Sequence, residues 1–474
     1  MNINKKLKLL FITYTHSNGG GAEKVLTTLV NNLDAERYDI SIFEIVKYDV
    51  KCEPVNSNIK LLPPLYHCND RDYKVKVLDY ILEQKPEIIR ALNNFDAYDV
   101  IITWNYQLPS FMLPAFPDKK TIAWFHGAID DLDISDNLTA VKHRYDLQKN
   151  AWGFADKVVT ISRKSLQSLE TVFPEYMHKA QIIHNAFDVK ISKIKASEKI
   201  EDIYENCYLP IIVCAGRLDK NKNFSLLVKT VAKLKRENIE CVLFIIGEGP
   251  ERESLVRLAA ESDITDSVFF LGYKQNPLPY IGKAQLLCVS SLSEGWGMTI
   301  CESMALGKPF VTTPVAGASE ELADGGKCGL VAEWDIDDYA EKLKILLTDK
   351  TLYDRMSENC IKKIQEFSVE NTVRQFDNLI ASLPEKPDTG SAGILSKKEA
   401  FKKMRSVYVW YPDKMLNNIK FSVERFQTTK KIYHFILLGY HILRFLLYIL
   451  TATCRIVTAK KLFICAKDGS DECI

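Results

Sequence analysis

Short apolar runs alternate along this chain with longer stretches in which apolar positions recur every three or four residues. In the first half, the short runs are 9–14, 40–46, 100–104, 121–125, 157–161 and 181–183. Amphipathic stretches such as 23–33 and 77–84 lie between them. Strands alternating with helices are typical of βαβ units, so the pattern predicts parallel sheets.

A charged, irregular stretch at 190–206 interrupts this alternation, and a second series follows it. The short apolar runs of the second series are 209–215, 242–246, 268–271, 285–289, 310–313 and 330–332. One helix is predicted from Asp335 to about Cys360 and another to Ser382. The fold class is therefore α/β, with two doubly wound, Rossmann-like domains that face a cleft at the carboxyl ends of their strands.

This reading divides the chain into five segments. They are a first domain at 1–190, a linker at 191–206, a second domain at 207–365, a helix at 366–385 that crosses back to the first domain, and an extension at 386–474. The composition, 47% hydrophobic and 26% charged, is that of a packed globular protein and excludes a mostly disordered or fibrous one.

The extension differs from the rest of the chain in charge. The formal charge of the whole chain is only +1, yet residues 386–474 hold 16 Lys and Arg against seven Asp and Glu. Within it, the apolar run 435–450 is interrupted by His441 and Arg444, and it is short for a membrane span. A wide apolar face with a cationic stripe is typical of a helix that lies in a membrane interface. A helix packed on the protein body and a spanning helix remain alternatives.

The twelve cysteines are scattered without a C-x-x-C pair, which indicates buried free thiols in a reducing compartment.

The N-terminal apolar run is only about six residues long, so we interpret it as a first strand and not as a signal peptide. We therefore expect the body of the protein in the cytoplasm.

The sequence SEGWGMTICESMALGKP, from residue 293, carries the most chemical information. A strand is predicted to end just before it, and a helix to begin near Met298. The free N–H groups at such a helix start favour a phosphate. Glu294 and Glu302, eight residues apart, can both face one cleft as acceptors for hydroxyl groups. A pair of acids that only stabilises the helix start is the ordinary alternative.

This stretch closely resembles the E-x7-E signature of family 4 glycosyltransferases, which have the two-domain GT-B fold. Three other elements match in the right order: SNGGGAE from residue 17, AGRL from 215 with Lys222 and Asn223, and IGEGP from 246. The resemblance covers residues 7–382. It implies that the first domain holds the acceptor and the second holds a nucleotide-sugar donor.

The loop after the first strand of the second domain supplies two cations. Arg217 and Lys222 can neutralise a diphosphate, the first by a bidentate contact and the second as a point charge. The resemblance assigns them, with Gly216, to the donor diphosphate. The neighbouring Lys220 fits an ordinary solvated charge better.

On the other side of the cleft, Gly20 and Gly21 precede a helix that begins near Glu23 and can bind an anion through the backbone. The fingerprint is not G-x-G-x-x-G, so an NAD site is not expected. His126 ends a strand and precedes Gly127. By resemblance it contacts the donor sugar.

The resemblance also implies roles for the signature. Glu294 would approach the donor sugar, Glu302 would bind the nucleotide ribose, and the backbone of Gly297, Met298 and Thr299 would meet the diphosphate. The family retains anomeric configuration and needs neither a metal nor another cofactor. The D-x-D sequence at 131–133 lies in an acidic loop, and we interpret it as solvated.

With these residues in place, the resemblance implies a retaining hexosyltransferase that moves a sugar, with UDP as the expected nucleotide, to a glycan acceptor. A lipid-linked acceptor in surface polysaccharide synthesis and a peripheral position at the inner face of the plasma membrane are expected, with no nucleic-acid partner. The alternatives are a nucleotide-sugar epimerase or other GT-B enzyme, and a non-catalytic, membrane-tethered binding module.

Overall fold

The computed structural model describes residues 6–18, 20–50, 54–68, 72–129, 138–200, 207–315, 317–386 and 395–404. The fold is built on two parallel sheets, each with helices packed against it. Parallel strands covered on both faces are apolar along their whole length. The strand candidates of the sequence are short apolar runs for this reason.

The first sheet has seven strands in the order β4-β2-β1-β6-β7-β8-β9. Their bounds are Leu7–Thr13 (β1), Tyr38–Glu44 (β2), Lys60–Leu61 (β4), Val100–Thr103 (β6), Lys120–Trp124 (β7), Lys157–Thr160 (β8) and Ala180–Ile182 (β9). A separate parallel pair joins β3 (Val46–Lys47) to β5 (Tyr66–His67). The order reverses at β1, between β2 and β6, so the loop after β1 lies at a topological switch point.

The second sheet has six strands in the order β12-β11-β10-β13-β14-β15. They are Ile211–Ala215 (β10), Val242–Ile246 (β11), Val268–Gly272 (β12), Leu286–Val289 (β13), Phe310–Thr312 (β14) and Gly329–Val331 (β15). The order again reverses, at β10. The loop after β10 contains Arg217 and Lys222, and the loop after the adjacent β13 contains Glu294.

Thirteen α-helices are described in these parts of the chain. They are Gly21–Asn32 (α1), Asp72–Gln84 (α2), Pro86–Leu92 (α3), Leu138–Gly153 (α4), Arg163–Val172 (α5), Val189–Ala196 (α6), Phe224–Arg236 (α7), Arg252–Glu261 (α8), Leu278–Lys283 (α9), Met298–Ala305 (α10), Ile336–Thr348 (α11), Lys350–Lys363 (α12) and Val369–Ala381 (α13). A further helix occupies 397–404. In α7, Leu227, Val231 and Leu234 recur at helical spacing and are buried, which holds the helix on the second sheet.

Two sequence expectations about helices were wrong. The periodic stretch from Asp335 is two helices and not one, because the Asp349 side chain accepts a hydrogen bond from Leu352 N and begins α12 as an N-cap. The stretch expected to be irregular starts with α6, which Asp188 caps by accepting from Ile191 N at 2.8 Å. Helix α6 packs on α9 and α10.

The chain passes between the two sheets twice, along adjacent paths. Phe187 N donates to the Phe367 carbonyl at 3.0 Å, and Phe187 forms a parallel bridge with Ser368. Helix α13 then lies on the first sheet, where the Phe376 ring stacks on Phe11 and Tyr38 Oη donates to Asp377 at 2.6 Å. Helix α13 therefore returns the end of this segment to the first domain.

Residues 1–69 with 96–390 form one compact unit that contains both sheets, and 70–95 with the chain after residue 390 form a second unit. In the second unit, α2 and α3 are described together with helix 397–404, whose Lys403 lies 3.8 Å from Glu87.

The apolar run 435–450 and the rest of the extension after residue 404 lie outside the described residues. In the described part of the chain, no helix is long and apolar enough to cross a membrane.

Eight cysteines lie in the described residues, and all are free thiols. Six of them are buried. Burial raises the pKa of Cys241 and Cys301 to about 12, so these thiols act as apolar packing groups.

Candidate active site in the cleft between the two sheets

Helix α10 begins at Met298, where the sequence predicted a helix start that could bind a phosphate. Gly297 is the residue before the helix and has φ +88°, a conformation that favours glycine. The chain then turns so that the helix begins at Met298, with half-buried Thr299 in its first turn. The first N–H groups of a helix have no partner within it, so an anion can bind them.

Lys222 and Glu294 meet beside this helix start. Lys222 Nζ donates to Glu294 Oε1, and Ser291 Oγ donates to the same oxygen at 2.8 Å. Both charged side chains are largely buried, with 25% and 17% of their surface exposed. The pair thus presents a cation and a carboxylate together, as a diphosphate next to a sugar would require.

Arg217 lies in the same loop but has a different partner. Its Nε donates to Asp219 Oδ2 at 2.7 Å, and the side chain is 77% exposed. Burial alone would raise the pKa of Asp219, but hydrogen bonds from Arg217 and from Lys222 N hold it below its usual value. The Arg217 guanidinium is therefore held by Asp219 and lies at the surface of the loop.

Glycines allow the loops after β10 and β11 to pack backbone against backbone. A Cβ atom on Gly247 would lie 1.9 Å from the Gly216 carbonyl oxygen, and one on Gly216 would lie 3.2 Å from Lys222 Cε. Leu218 N donates to the Glu248 carbonyl at 2.9 Å. The glycine loop at 247–249 therefore supports the loop that carries the two cations.

The first domain contributes the start of α1, which faces α10 across the cleft. A Cβ atom on Gly21 would lie 3.7 Å from Met298 Cγ. Gly20 is the N-cap, and the Glu23 carboxylate folds back towards it. Burial raises the pKa of Glu23, while hydrogen bonds from the N–H groups of Glu23 and Gly20 act in the opposite direction. Glu23 thus forms one half of a capping box, and Gly20 has no side chain to form the other half.

His126 follows β7 and reaches the same cleft. Its ring packs against Trp104 with a centroid distance of 4.7 Å, and both ring nitrogens are buried. Burial lowers the pKa of His126 to about 4, and polar groups of Asn185 and Trp104 oppose this shift only in part. The ring is therefore neutral at pH 7 and can act as a hydrogen-bonding group towards a substrate.

The buried neutral state of His126 predicts a loss of stability in acid. An unfolded His, with a pKa near 6.5, takes up a proton at a higher pH than the folded one. The contribution of His126 is complete above about pH 6.5 and is lost as the pH falls towards 4, by about 3 kcal/mol. The free energy of unfolding is measured at pH 7 and at pH 4.5 for wild type and for His126→Gln. Between these pH values it should fall less in the variant than in wild type. Equal losses would contradict the assignment.

The signature loop contacts His126 directly. A Cβ atom on Gly295 would lie 3.3 Å from the His126 carbonyl oxygen and 3.7 Å from Gly127 Cα. The loop that carries Glu294 thus lies against the end of β7. Glu302 lies five residues after Gly297, on α10, and is partly buried.

Among the predicted site residues, Lys222 contacts Glu294, Gly21 lies against Met298 and the loop of Glu294 lies against His126. Arg217 turns instead towards Asp219. Sequence reasoning missed Asp219, Ser291 and the pair His184 and Glu321, which joins the domains beside Trp296. His184 ends the strand-like run before the first crossing, a position that could have marked it. The D-x-D sequence at 131–133 lies outside the described residues.

Two family models match consecutive parts of the chain. "Glycosyltransferase Family 4" matches residues 19–191, and "Glycosyl transferases group 1" matches residues 197–363. The boundary between the matches falls at α6, between the two sheets described above. The two matches thus correspond to the two domains.

Two similar proteins come from Campylobacter jejuni. N-acetylgalactosamine-N,N'-diacetylbacillosaminyl-diphospho-undecaprenol 4-alpha-N-acetylgalactosaminyltransferase is 31% identical over 42% of this chain, and the matched stretch spans 52% of that protein. A second enzyme, GalNAc-alpha-(1->4)-GalNAc-alpha-(1->3)-diNAcBac-PP-undecaprenol alpha-1,4-N-acetyl-D-galactosaminyltransferase, is 24% identical over 80% of this chain and 99% of its own length.

Several solved structures share the fold of this chain. HepE of Anabaena, solved in complex with UDP, superposes with a TM-score of 0.63 at 17% identity, covering 80% of this chain and all of that one. Sucrose-phosphate synthase from Thermosynechococcus elongatus gives a TM-score of 0.62 at 19% identity, over 79% and 98% of the two chains. The fold class is GT-B, with two Rossmann-like domains.

Proposed function

We propose, because this chain belongs to glycosyltransferase family 4, that it is a retaining enzyme that moves a sugar from a nucleotide diphosphate donor to a glycan acceptor. The observation that carries this proposal is the pair of Lys222 and Glu294 beside the start of α10. Across the cleft lie Gly20, Gly21 and His126. A nucleotide-sugar fits this combination of anion site and hydroxyl acceptors.

In the proposed reaction, the bond between the anomeric carbon and the terminal diphosphate oxygen breaks, and an acceptor hydroxyl oxygen takes its place on the same face. The acceptor proton passes to the departing diphosphate. Lys222, Arg217 and the first N–H groups of α10 would stabilise the charge that builds on this group, with Gly216 and Gly297 to Thr299 forming its backbone surroundings. For Arg217 this requires its guanidinium to leave Asp219 when the donor binds.

We assign the other site residues the roles that the resemblance to family 4 implies. Glu294 would accept hydrogen bonds from the sugar hydroxyls, and Glu302, one turn into α10, would accept from the ribose. Neutral His126 would contact the sugar from the first domain. The cations at the diphosphate position support a reaction that needs no metal and no other cofactor.

The donor and the acceptor are proposed by class. HepE of Anabaena was solved with UDP and with UDP-glucose, which supports a UDP-sugar as donor. The names of both Campylobacter enzymes describe sugar acceptors joined to undecaprenol through a diphosphate. We therefore propose a lipid-linked glycan acceptor in surface polysaccharide synthesis.

The proposal is tested with purified full-length protein and a panel of nucleotide-sugars. Release of nucleoside diphosphate should be slow with donor alone and should rise when the correct lipid-linked glycan is added, with EDTA present or absent. Conversion of the donor without any acceptor would instead identify an epimerase. Donor binding without turnover across the acceptor panel would identify a binding module.

We propose further that the extension 386–474 holds the enzyme at the inner face of the membrane, near such an acceptor. Its excess of Lys and Arg and its apolar run 435–450 support this position. Deletion of 386–474 should move the protein from the pellet to the supernatant when it is sedimented with anionic vesicles. The full-length double variant Leu446→Glu, Leu447→Glu should behave in the same way. Unchanged sedimentation of both proteins would refute the proposal.

A further inference from the structure

A carboxylate outside the donor site connects the two domains. Glu321 lies in a π-helical turn, Ala318–Leu322, that follows β14 in the second domain. One of its oxygens accepts a hydrogen bond from Arg163 N, and the other contacts His184 Nε2. Both partners belong to the first domain. The Glu321 side chain is only 8% exposed, so its carboxylate is largely shielded from water.

The partners of Glu321 are suited to a carboxylate. Arg163 is the first residue of α5, and its N–H group has no acceptor within the helix. A negative charge at this end of a helix is favourable, and a carboxylate provides one oxygen for the amide and a second for His184. An exposed neighbour on the same turn, Glu320, has neither contact.

The contact continues from His184 to the signature loop. The His184 ring packs against Trp296 and Phe367, each at a centroid distance of 5.1 Å. Trp296 is buried, and its Nε1 donates to Cys301 Sγ at 3.2 Å, which ties the loop to α10. A Cβ atom on Gly317 would lie 2.7 Å from the Trp296 ring, so the segment before Glu321 packs closely against this ring.

Trp296 lies between the two glycines of the loop that carries Glu294. Gly295 on one side touches the His126 backbone, and Gly297 on the other begins α10. We infer that Glu321 is a positioning residue: through His184 and Trp296, it holds the Glu294 loop against the end of β7 so that the two halves of the site meet. This inference rests on the proposed function, because the aligned groups are those assigned to donor and sugar.

The position of Glu321 predicts a separation between binding and turnover. Apart from the backbone of Gly20 and Gly21, the groups assigned to the nucleotide diphosphate lie in the second domain, so most of the UDP contacts do not need the interdomain contact. Glu321→Ala should therefore bind UDP with a Kd within about threefold of wild type. Its kcat with a saturating UDP-sugar donor should fall by at least tenfold, because His126 and Glu294 are no longer held together.

Two further variants separate the hydrogen bonds from the packing. Glu321→Gln keeps an acceptor for Arg163 N and should retain more activity than Glu321→Ala. His184→Phe keeps a ring against Trp296 but removes the nitrogen that meets Glu321, and it should lower kcat without raising the Kd for UDP. Glu320→Ala is the matched control on the same turn and should leave kcat, Kd and the melting temperature unchanged.

Amide hydrogen exchange tests the contact without reference to activity. The Arg163 amide has Glu321 as its acceptor, so its exchange should be faster in Glu321→Ala and unchanged in Glu320→Ala. Slow exchange in Glu321→Ala, or a wild-type kcat in that variant, would overturn the inference. Turnover that is undetectable in wild type, together with fast Arg163 exchange in Glu321→Ala, would contradict the proposed function and leave the interdomain contact standing.

Discussion

Replacing Lys222 with alanine should reduce kcat by about 10²–10³-fold while the fold remains intact. The Lys222 ammonium is the largely buried cation beside the start of α10, and it is bonded to Glu294. Its removal takes away positive charge where the diphosphate leaves, and it leaves the buried Glu294 carboxylate without its charged partner. The measurement is steady-state release of UDP with saturating donor and acceptor, accompanied by a melting curve.

Lys220 provides a matched control for Lys222. It lies in the same loop, two residues earlier, and its side chain is exposed. Lys220→Ala removes the same charge at nearly the same place in the sequence and should change kcat by less than about twofold. Similar losses of kcat in the two variants would mean that only the overall positive charge of the loop matters, and not the position of Lys222. A near-normal rate in Lys222→Ala would exclude the proposed role of this side chain.

Glu302→Ala should weaken the binding of UDP itself by about 10²-fold, with a matching loss in kcat/KM for the donor. A charged acceptor that binds the two ribose hydroxyls contributes about 1.5–3 kcal/mol for each hydrogen bond. The ribose is present in UDP as well as in the complete donor, so the effect appears without any sugar. The Kd is measured by calorimetry with UDP alone.

Glu294→Ala is the matched comparison for Glu302, because the two carboxylates belong to one signature but are assigned to different parts of the donor. UDP lacks the sugar, so Glu294→Ala should bind UDP with little change while it loses activity with the UDP-sugar. If Glu302→Ala bound UDP normally and Glu294→Ala did not, the two roles would have to be exchanged. If neither variant changed binding or rate, the cleft would not be the donor site.

The positions of the strands could be predicted well from the sequence. The apolar run 242–246 is β11 itself, and the runs near 100 and 157 end within one residue of β6 and β8. Strands buried on both faces need apolar residues throughout, so the pattern reports them directly. Very short strands such as Lys60–Leu61 are exposed edge segments, and nothing in their composition distinguishes them from loops.

The helix boundaries that failed depend on single capping side chains. Periodicity continues from α11 into α12 almost without a break, and only the Asp349 carboxylate stops one helix and begins the next. In the same way, Asp188 begins α6 in a stretch whose charges suggested irregular structure. An Asp in a polar sequence has many ordinary uses, so its capping role becomes evident only from the backbone geometry.

The site could be predicted at the level of loops but not of side-chain partners. Parallel strands direct their following loops to the same edge of a sheet, which brings Lys222 and Glu294 together after β10 and β13 of the second sheet. His126 holds the corresponding position after β7 of the first sheet. The choice of Asp219 as partner for Arg217 depends on local turns. The contact of Glu321 with His184 joins residues 137 positions apart, across two domains, and no local pattern encodes it.

The paired crossing at Phe187 and Ser368 has a consequence for recombination between relatives. A second sheet borrowed from another member of the family replaces a contiguous piece of sequence, but that piece begins and ends at this one short parallel bridge. Both junctions of a chimaera must therefore be made together, next to each other in space, with the main-chain bond from Phe187 N to Phe367 O preserved. A chimaera that keeps only one native junction would lose the correct backbone pairing at this bridge, where the two parent sequences join.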